Sequence, residues 1–241
     1  MKFTDIFKSG KQKQLDKRLL EAIRSGNEAD AVSALDEGAD SNAKDAAMPA
    51  IVVAAGKQQA ITVAALINRG ADVNAGGIKE DGTGERWTAL MAASVIGSKE
   101  VVHLLLAADA KVDMPDAKGV TALMLASANG RNDVMEVLLR KGADMDKKCD
   151  SGYTPLLFAT KGGHLGAIRI LLARGAVVEC KDKQNTTPLM VAAQMGFTEI
   201  AALLLQHGAD KSYRNLDQKN AAGLAREYRK TEISDLFLKY P

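Results

Sequence analysis

The chain has 241 residues, of which 46% are apolar and 26% are charged, and its net charge is +2. This composition is typical of a folded domain and excludes an intrinsically disordered chain. The near-balance of charge gives no reason to expect a polyanionic partner, so nucleic acid is not expected as a ligand.

Residues 1–14 are expected to form an N-terminal extension. They contain lysines but no continuous apolar core, so they do not have the pattern of a secretory signal. Phe3, Ile6 and Phe7 give the extension a weakly amphipathic character, which allows contact with an anionic membrane or with nucleic acid. We favour the alternative that these apolar side chains cover the exposed end of the folded domain while the lysines stay solvated.

No apolar run in the sequence is long enough to cross a bilayer, and no membrane partner is expected. The two cysteines, Cys149 and Cys180, give no disulfide framework. A reducing cytoplasm is therefore the expected location, and the cysteines are expected to be free thiols.

A sequence pattern of fixed length recurs through the chain. Threonines stand 33 residues apart, each is followed two residues later by a leucine, and a glycine follows nine residues after each threonine. The threonines are Thr88, Thr121, Thr154 and Thr187, and the glycines are Gly97, Gly130, Gly163 and Gly196. A period of this length predicts an array of stacked units in which each unit contacts only its neighbours.

One period contains two short helices and a turn. Thr121 can cap the first helix through its hydroxyl, and Gly130 can end it. The segment from Asp133 to Arg140 carries an apolar stripe at helical spacing and predicts the second helix. A polar, turn-rich connection then leads from Ala143 to the next period.

The whole chain divides on this pattern into a single domain over residues 15–238, with about seven repeats including divergent ends. The repeats are expected at about residues 17–48, 49–87, 88–120, 121–153, 154–186, 187–219 and 220–238.

Several motifs resemble the ankyrin repeat family. They are Thr154-Pro155-Leu156, Thr187-Pro188-Leu189, Ala192-Ala193, Gly163-His164 and the Gly-Ala-Asp sequences that end the second helices. The resemblance implies an all-α solenoid of helix-turn-helix units with protruding β-turn or hairpin loops. The chain departs from the family where a histidine often follows Thr-Pro-Leu, because that place holds Met91, Met124, Leu157 and Met190. At the three methionine positions, the thioether side chain is expected to fill the space of the absent imidazole.

The period is interrupted once, by an insertion within residues 75–87. It contains glycines at 76, 77, 82 and 84 and delivers the only tryptophan, Trp87. The glycines lack the Gly-Lys-Ser/Thr ending of a phosphate-binding loop, so a flexible finger is the preferred interpretation.

No catalytic residue, cofactor or metal is expected. His103, His164 and His207 fall at three different places in three different repeats, without cysteine or carboxylate partners at metal-ligand spacing. An enzyme with a site near Asp81, Glu85 and His103 is retained only as a minor alternative.

The ankyrin resemblance implies a concave binding face, lined by turn tips and by outward positions of the first helices. Aromatic residues on such a face favour binding, because they bury large areas at low entropic cost. We expect Trp87 and Tyr153 to be exposed, whereas Phe158 fits an exposed anchor and a core residue equally well. The expected partner-binding residues are Arg86, Trp87, Val95, Ile96, Lys118, Val120, Leu125, Asn129, Tyr153, Phe158, Lys161, Lys183, Gln194 and Met195.

The sequence thus predicts a non-enzymatic module that acts as a monomer and binds a protein or peptide on its concave face. A second hypothesis is an effector that is delivered into another cell, as some ankyrin-like proteins are. No residue argues for that route specifically.

Overall fold

Paired short helices, joined by turn-rich segments, make up the computed structural model of the chain. The structure describes residues 10–77 and 86–239. It divides into two bodies, Met1–Ala117 and Lys118–Pro241.

The described part of the N-terminal body contains three helix pairs and two short strand pairs. The helix pairs are α1 (Gly10–Ser25) with α2 (Glu28–Asp36), α3 (Ala50–Gly56) with α4 (Ala60–Asn68), and α5 (Ala89–Ile96) with α6 (Lys99–Ala107). The antiparallel strand pairs are β1 (Lys44–Asp45) with β2 (Met48–Pro49), and β3 (Gly76–Gly77) with β4 (Trp87–Thr88). Helix α1 begins at Gly10, inside the stretch expected to be an extension. Phe3, Ile6 and Phe7 lie outside the described residues.

The C-terminal body, as far as it is described, contains four helix pairs. They are α7 (Ala122–Ala128) with α8 (Asn132–Arg140), α9 (Pro155–Lys161) with α10 (Leu165–Ala173), α11 (Pro188–Met195) with α12 (Thr198–Gln206), and α13 (Ala221–Glu227) with α14 (Thr231–Lys239). No helix among the described residues is long and apolar enough to span a bilayer.

Within each body the helices pack in two layers. First helices contact first helices, so α9 lies between α7 and α11 in the C-terminal body, and α3 lies between α1 and α5 in the N-terminal body. Second helices contact second helices in the same order. The expected all-α fold of repeated helix pairs is confirmed.

The recurring threonines cap the first helices as predicted. The Thr121 hydroxyl accepts a hydrogen bond from the backbone N–H of Met124 at 3.4 Å, and Thr88, Thr154 and Thr187 accept from the same relative position. In α7 the Thr121 backbone N–H in turn donates to the Met124 thioether sulfur at 3.4 Å. Methionine therefore supplies a weak acceptor as well as bulk where the family often has histidine.

The leucine two residues after each threonine lies in the core. Leu90, Leu123, Leu156 and Leu189 are all buried. The alanines that accompany them keep the layer of first helices thin, since Ala126, Ala159 and Ala192 are fully buried and let neighbouring helices approach closely.

Second helices end in a left-handed residue, which is glycine in most repeats. Gly142, Gly175 and Gly208 have φ of +84°, +88° and +86°. Asp109 takes this place after α6 with φ of +61°. A short polar side chain tolerates this conformation at some energetic cost, so the repeat is preserved despite the substitution.

Replacing Leu138 with alanine is expected to lower the free energy of unfolding by about 2–5 kcal/mol, because its side chain is fully buried in α8. The adjacent Leu139 is only half-buried, so Leu139→Ala on the same helix should cost clearly less. Chemical denaturation followed by circular dichroism measures both. Equal losses for the two variants would contradict this assignment of the buried stripe.

Candidate partner-binding surface

In the C-terminal body, each connection between helix pairs closes on itself as a tight turn. A backbone N–H at the start of the turn donates to a carbonyl four residues later. These hydrogen bonds join Cys149 to Tyr153 at 3.0 Å, Asp182 to Thr186 at 3.2 Å, and Asn215 to Lys219 at 3.0 Å. The side chains before and after each closing bond therefore have fixed positions.

Consecutive turns are also bonded to each other through their backbones. The N–H groups of Asp150, Lys183 and Leu216 donate to the carbonyls of Lys118, Ser151 and Gln184, at 2.9, 3.1 and 3.1 Å. We call the segments 147–153, 180–186 and 213–219 the turn edge. Because each turn is tied to its neighbour, the turn edge is a continuous strip along the C-terminal body.

Two carboxylates strengthen the connection between successive repeats. The Asp146 carboxylate accepts from the backbone N–H of Val177 at 2.9 Å. One repeat later, the Glu179 carboxylate accepts from the N–H of Asp210 at 2.8 Å. Partial burial raises the pKa of the Glu179 carboxyl above its usual value, the Asp210 hydrogen bond opposes this, and the Asp210 charge adds to it.

An aromatic patch, consisting of Tyr153, Phe158 and Lys161, lies where a turn meets the first helix α9. The Tyr153 and Phe158 rings are tilted against each other with centroids 5.4 Å apart. The Lys161 ammonium lies 5.3 Å from the centroid of the Tyr153 ring. Both rings are half-buried, so Phe158 contributes to packing and still reaches the surface. Burial raises the pKa of the Tyr153 phenol, and the nearby Asp182 charge adds to this.

Exposed apolar residues continue along the ends of the neighbouring first helices. Met195 ends α11 with 48% of its surface exposed, and Tyr228 follows α13 with 46% exposed. These two residues stand 33 apart and so occupy the same position in adjacent repeats. The sequence prediction included Met195 and missed Tyr228, although its spacing from Met195 would have indicated it.

The remaining predicted residues of the C-terminal body are either exposed or half-buried. Exposed side chains are those of Lys118, Asn129 and Lys183, and half-buried ones are those of Val120, Leu125 and Gln194. The Asn129 side chain donates to the Leu125 carbonyl at 2.8 Å, which fixes it at the end of α7.

The N-terminal body holds the other four predicted residues, and one expectation about them is wrong. Trp87 is buried, with 9% of its surface exposed. It lies in β4 opposite Gly77 of β3, and a Cβ at Gly77 would collide with Met48 and Pro49. Because cross-strand partners share a face, the indole lies on the side of the hairpin that faces these residues rather than on an exposed turn.

The other three predicted residues of this body are accessible. Arg86 is exposed and has a left-handed backbone with φ of +69°. Val95 is half-buried, and Ile96 is 36% exposed at the end of α5.

The histidines have separate structural environments. His164 Nε2 lies 2.9 Å from the Ala128 carbonyl of the preceding repeat, and His207 Nδ1 lies 3.0 Å from the Leu203 carbonyl of α12, the helix that His207 follows. His103 is exposed on α6, whereas Asp81 and Glu85 of the minor enzyme hypothesis lie outside the described residues. Within residues 10–77 and 86–239 there is no group of histidine, cysteine and carboxylate side chains that could hold a metal ion.

Both cysteines are free thiols and both are buried. The Thr154 hydroxyl donates to the Cys180 sulfur at 3.1 Å. Burial raises the pKa of the Cys180 thiol to about 11. A thiol in this environment stays protonated and is a poor nucleophile at neutral pH.

The first helices of successive pairs stack on each other, and so do the second helices. This arrangement defines a repeat protein, in which each unit is stabilised by contact with its neighbours. A family model described as ankyrin repeats in three copies matches residues 19–116, 77–149 and 123–215. The chain therefore belongs to the ankyrin repeat family. No curated protein matches it. Ankyrin repeats are generally protein–protein interaction modules, and the family is typically non-enzymatic.

The raised pKa of Glu179 makes a testable contribution to stability. The folded chain holds this proton more tightly than the unfolded chain, whose carboxyl has the usual pKa of 4.5. We compare the free energy of unfolding of the wild type with that of Glu179→Gln. The difference should shift in favour of the wild type as the pH falls from above the folded-state pKa to below 4.5. Urea unfolding of both proteins at several pH values measures the difference.

Glu136→Gln, which removes an exposed carboxylate from α8, is the control for the loss of one negative charge. If the wild type instead loses stability relative to Glu179→Gln at low pH, the effect of burial on the pKa of Glu179 is contradicted.

Proposed function

We propose that this chain is a non-enzymatic interaction module that holds a protein or peptide segment on the turn and first-helix side of its C-terminal body. The observation that carries the proposal is the aromatic patch, continued along the same side by Met195 and Tyr228. This is the side expected to be concave from the ankyrin resemblance.

The apolar side chains of this side suit the role of anchors. Tyr153 and Phe158 are held against each other by ring contact, so little side-chain entropy is lost when a partner covers them. Met195 is exposed and unbranched, so it can adapt its shape to a partner. Large apolar groups at the centre of an interface carry most of the binding energy.

The surrounding charges suit the role of selecting the partner. Lys118 and Lys183 are exposed on turns of the same body, and Lys161 is fixed over the Tyr153 ring. Charges at the rim of an interface govern orientation and association rate more than affinity. In the N-terminal body, Arg86, Val95 and Ile96 are proposed as a separate set of contacts.

We further propose that the chain works as a monomer in a reducing cytoplasm. The two free, buried thiols support that location, because they need no oxidising compartment for folding.

Combining Tyr153→Ala with Met195→Ala is expected to weaken binding of the natural partner by at least about ten-fold, because both substitutions remove anchor area. The partner is first identified by affinity capture and mass spectrometry from the cells of origin, and its purified form is then titrated by calorimetry.

The matched control combines Ile61→Ala with Val177→Ala, which removes two exposed apolar side chains outside this surface, at 64% and 52% exposure. The proposal fails if the control pair weakens binding as much as the anchor pair while both proteins stay folded.

A further inference from the structure

Three cations recur at one position of the turn edge. Lys148, Lys181 and Arg214 stand 33 residues apart, one per turn, and all three are exposed. Each comes directly before the residue whose N–H closes its turn. We call these three residues the basic row.

Two members of the basic row, Lys181 and Arg214, contact neutral groups. The Lys181 ammonium donates to the Tyr213 hydroxyl at 2.7 Å and lies 5.3 Å from the centroid of that ring. Arg214 Nη1 donates to the Gln218 carbonyl at 2.6 Å. Both partners are neutral, so they fix the positions of the cations without cancelling their charge.

Three carboxylates in or directly before these segments are bound to the backbone. Asp146 and Glu179 accept from N–H groups of the following repeat. Asp182 accepts from the N–H groups of Gln184 and Thr186 at 2.8 Å each. These three acids hold the turns together, and Asp150 and Asp217 are the exposed carboxylates that stand in the same turns as the basic row.

The contact between Lys181 and Tyr213 shows that a cation of the row reaches the residue next to Arg214 in the following turn. Packed helices lie about 8–10 Å apart, so the cations of successive repeats follow each other at roughly that interval. A polyproline II helix has three residues per turn and rises about 3.1 Å per residue, or about 9 Å per turn. Every third side chain of such a helix therefore points in one direction at nearly the interval of the repeats.

We propose that the basic row binds an acidic polyproline II segment of a partner protein, with a carboxylate at every third residue. This inference rests on the proposed function as an interaction module and gives the chemical class of one partner segment. The half-buried Tyr213 contacts Lys181 and directly precedes Arg214 in the chain, and Tyr153 ends the turn that contains Lys148. Aromatic rings are the surfaces against which polyproline II segments usually pack.

Sparse carboxylates suit the turn edge better than a phosphate backbone does. Nucleic acids carry a much denser line of negative charge, at about one charge per 1.7 Å in a duplex. Asp150, Asp182 and Asp217 stand within the same turns and would repel such a line. A segment with one carboxylate per turn can pair with the cations and leave neutral residues opposite these acids.

The test uses fluorescein-labelled peptides and the full chain, with binding followed by fluorescence anisotropy. One peptide has three Glu-Pro-Pro triplets, and a second has the same composition with its three glutamates adjacent. We expect the spaced peptide to bind about three- to ten-fold more tightly, because only it engages all three cations, and we expect its affinity to fall with added salt.

Combining Lys148→Glu, Lys181→Glu and Arg214→Glu should abolish this preference. The matched control combines Lys141→Glu, Arg169→Glu and Arg174→Glu, which makes the same charge change at exposed positions of α10 and of the ends of α8 and α10. Circular dichroism checks the fold of each protein. Lys148→Glu alone serves if the triple variant does not fold, because it disturbs neither the Tyr213 nor the Gln218 contact.

Equal binding of the two peptides would overturn the proposal. So would tighter binding of single-stranded oligothymidine, or of a helical peptide with glutamates seven residues apart. If the natural partner depends on Tyr153 and Met195 but is unaffected by reversal of the basic row, the acidic-segment proposal fails and the proposed function stands.

Discussion

Apart from α1, the described helices are too short to be stable alone, and the rest of the structure depends on that constraint. The helices of the C-terminal body have seven to nine residues. Isolated helices of this length are marginal in water because nucleation fixes several residues for few hydrogen bonds. They persist here because first helices bury leucine and alanine against first helices, and second helices do the same in their own layer. Capping threonines then satisfy amides that no neighbour can reach.

The same constraint explains which side chains stay at the surface of the C-terminal body. Helix faces between neighbours are occupied by packing, so polar side chains lie on the turns and on the outward positions of both helix layers, as Glu136 and Arg169 do. Hydrogen bonds between successive turns, reinforced by Asp146 and Glu179, fix this surface before any partner arrives. A preformed surface loses little conformational entropy on binding, which favours affinity for a given contact area.

Much of the fold could be predicted from spacing alone. The threonine, leucine and glycine at fixed intervals predicted the helix pairs, and the cap bonds at Thr88, Thr121, Thr154 and Thr187 confirm that interpretation. The candidate site was less predictable. Trp87 was expected on an exposed turn, but the β3–β4 pairing buries it, because an insertion breaks the period on which the prediction relied. Tyr228 was missed because the last repeat diverges in sequence, although its position follows the same interval.

The sequence by itself determined the repeat and the family, because these depend on local caps, glycines and apolar spacing that each repeat carries within itself. Only the tertiary structure decided which side chains meet. The Tyr153–Phe158–Lys161 patch, the Lys181–Tyr213 contact between repeats and the backbone bonds between turns join groups whose distances depend on how neighbouring repeats stack. Stacking is set by the summed packing of both helix layers, and no single repeat encodes it.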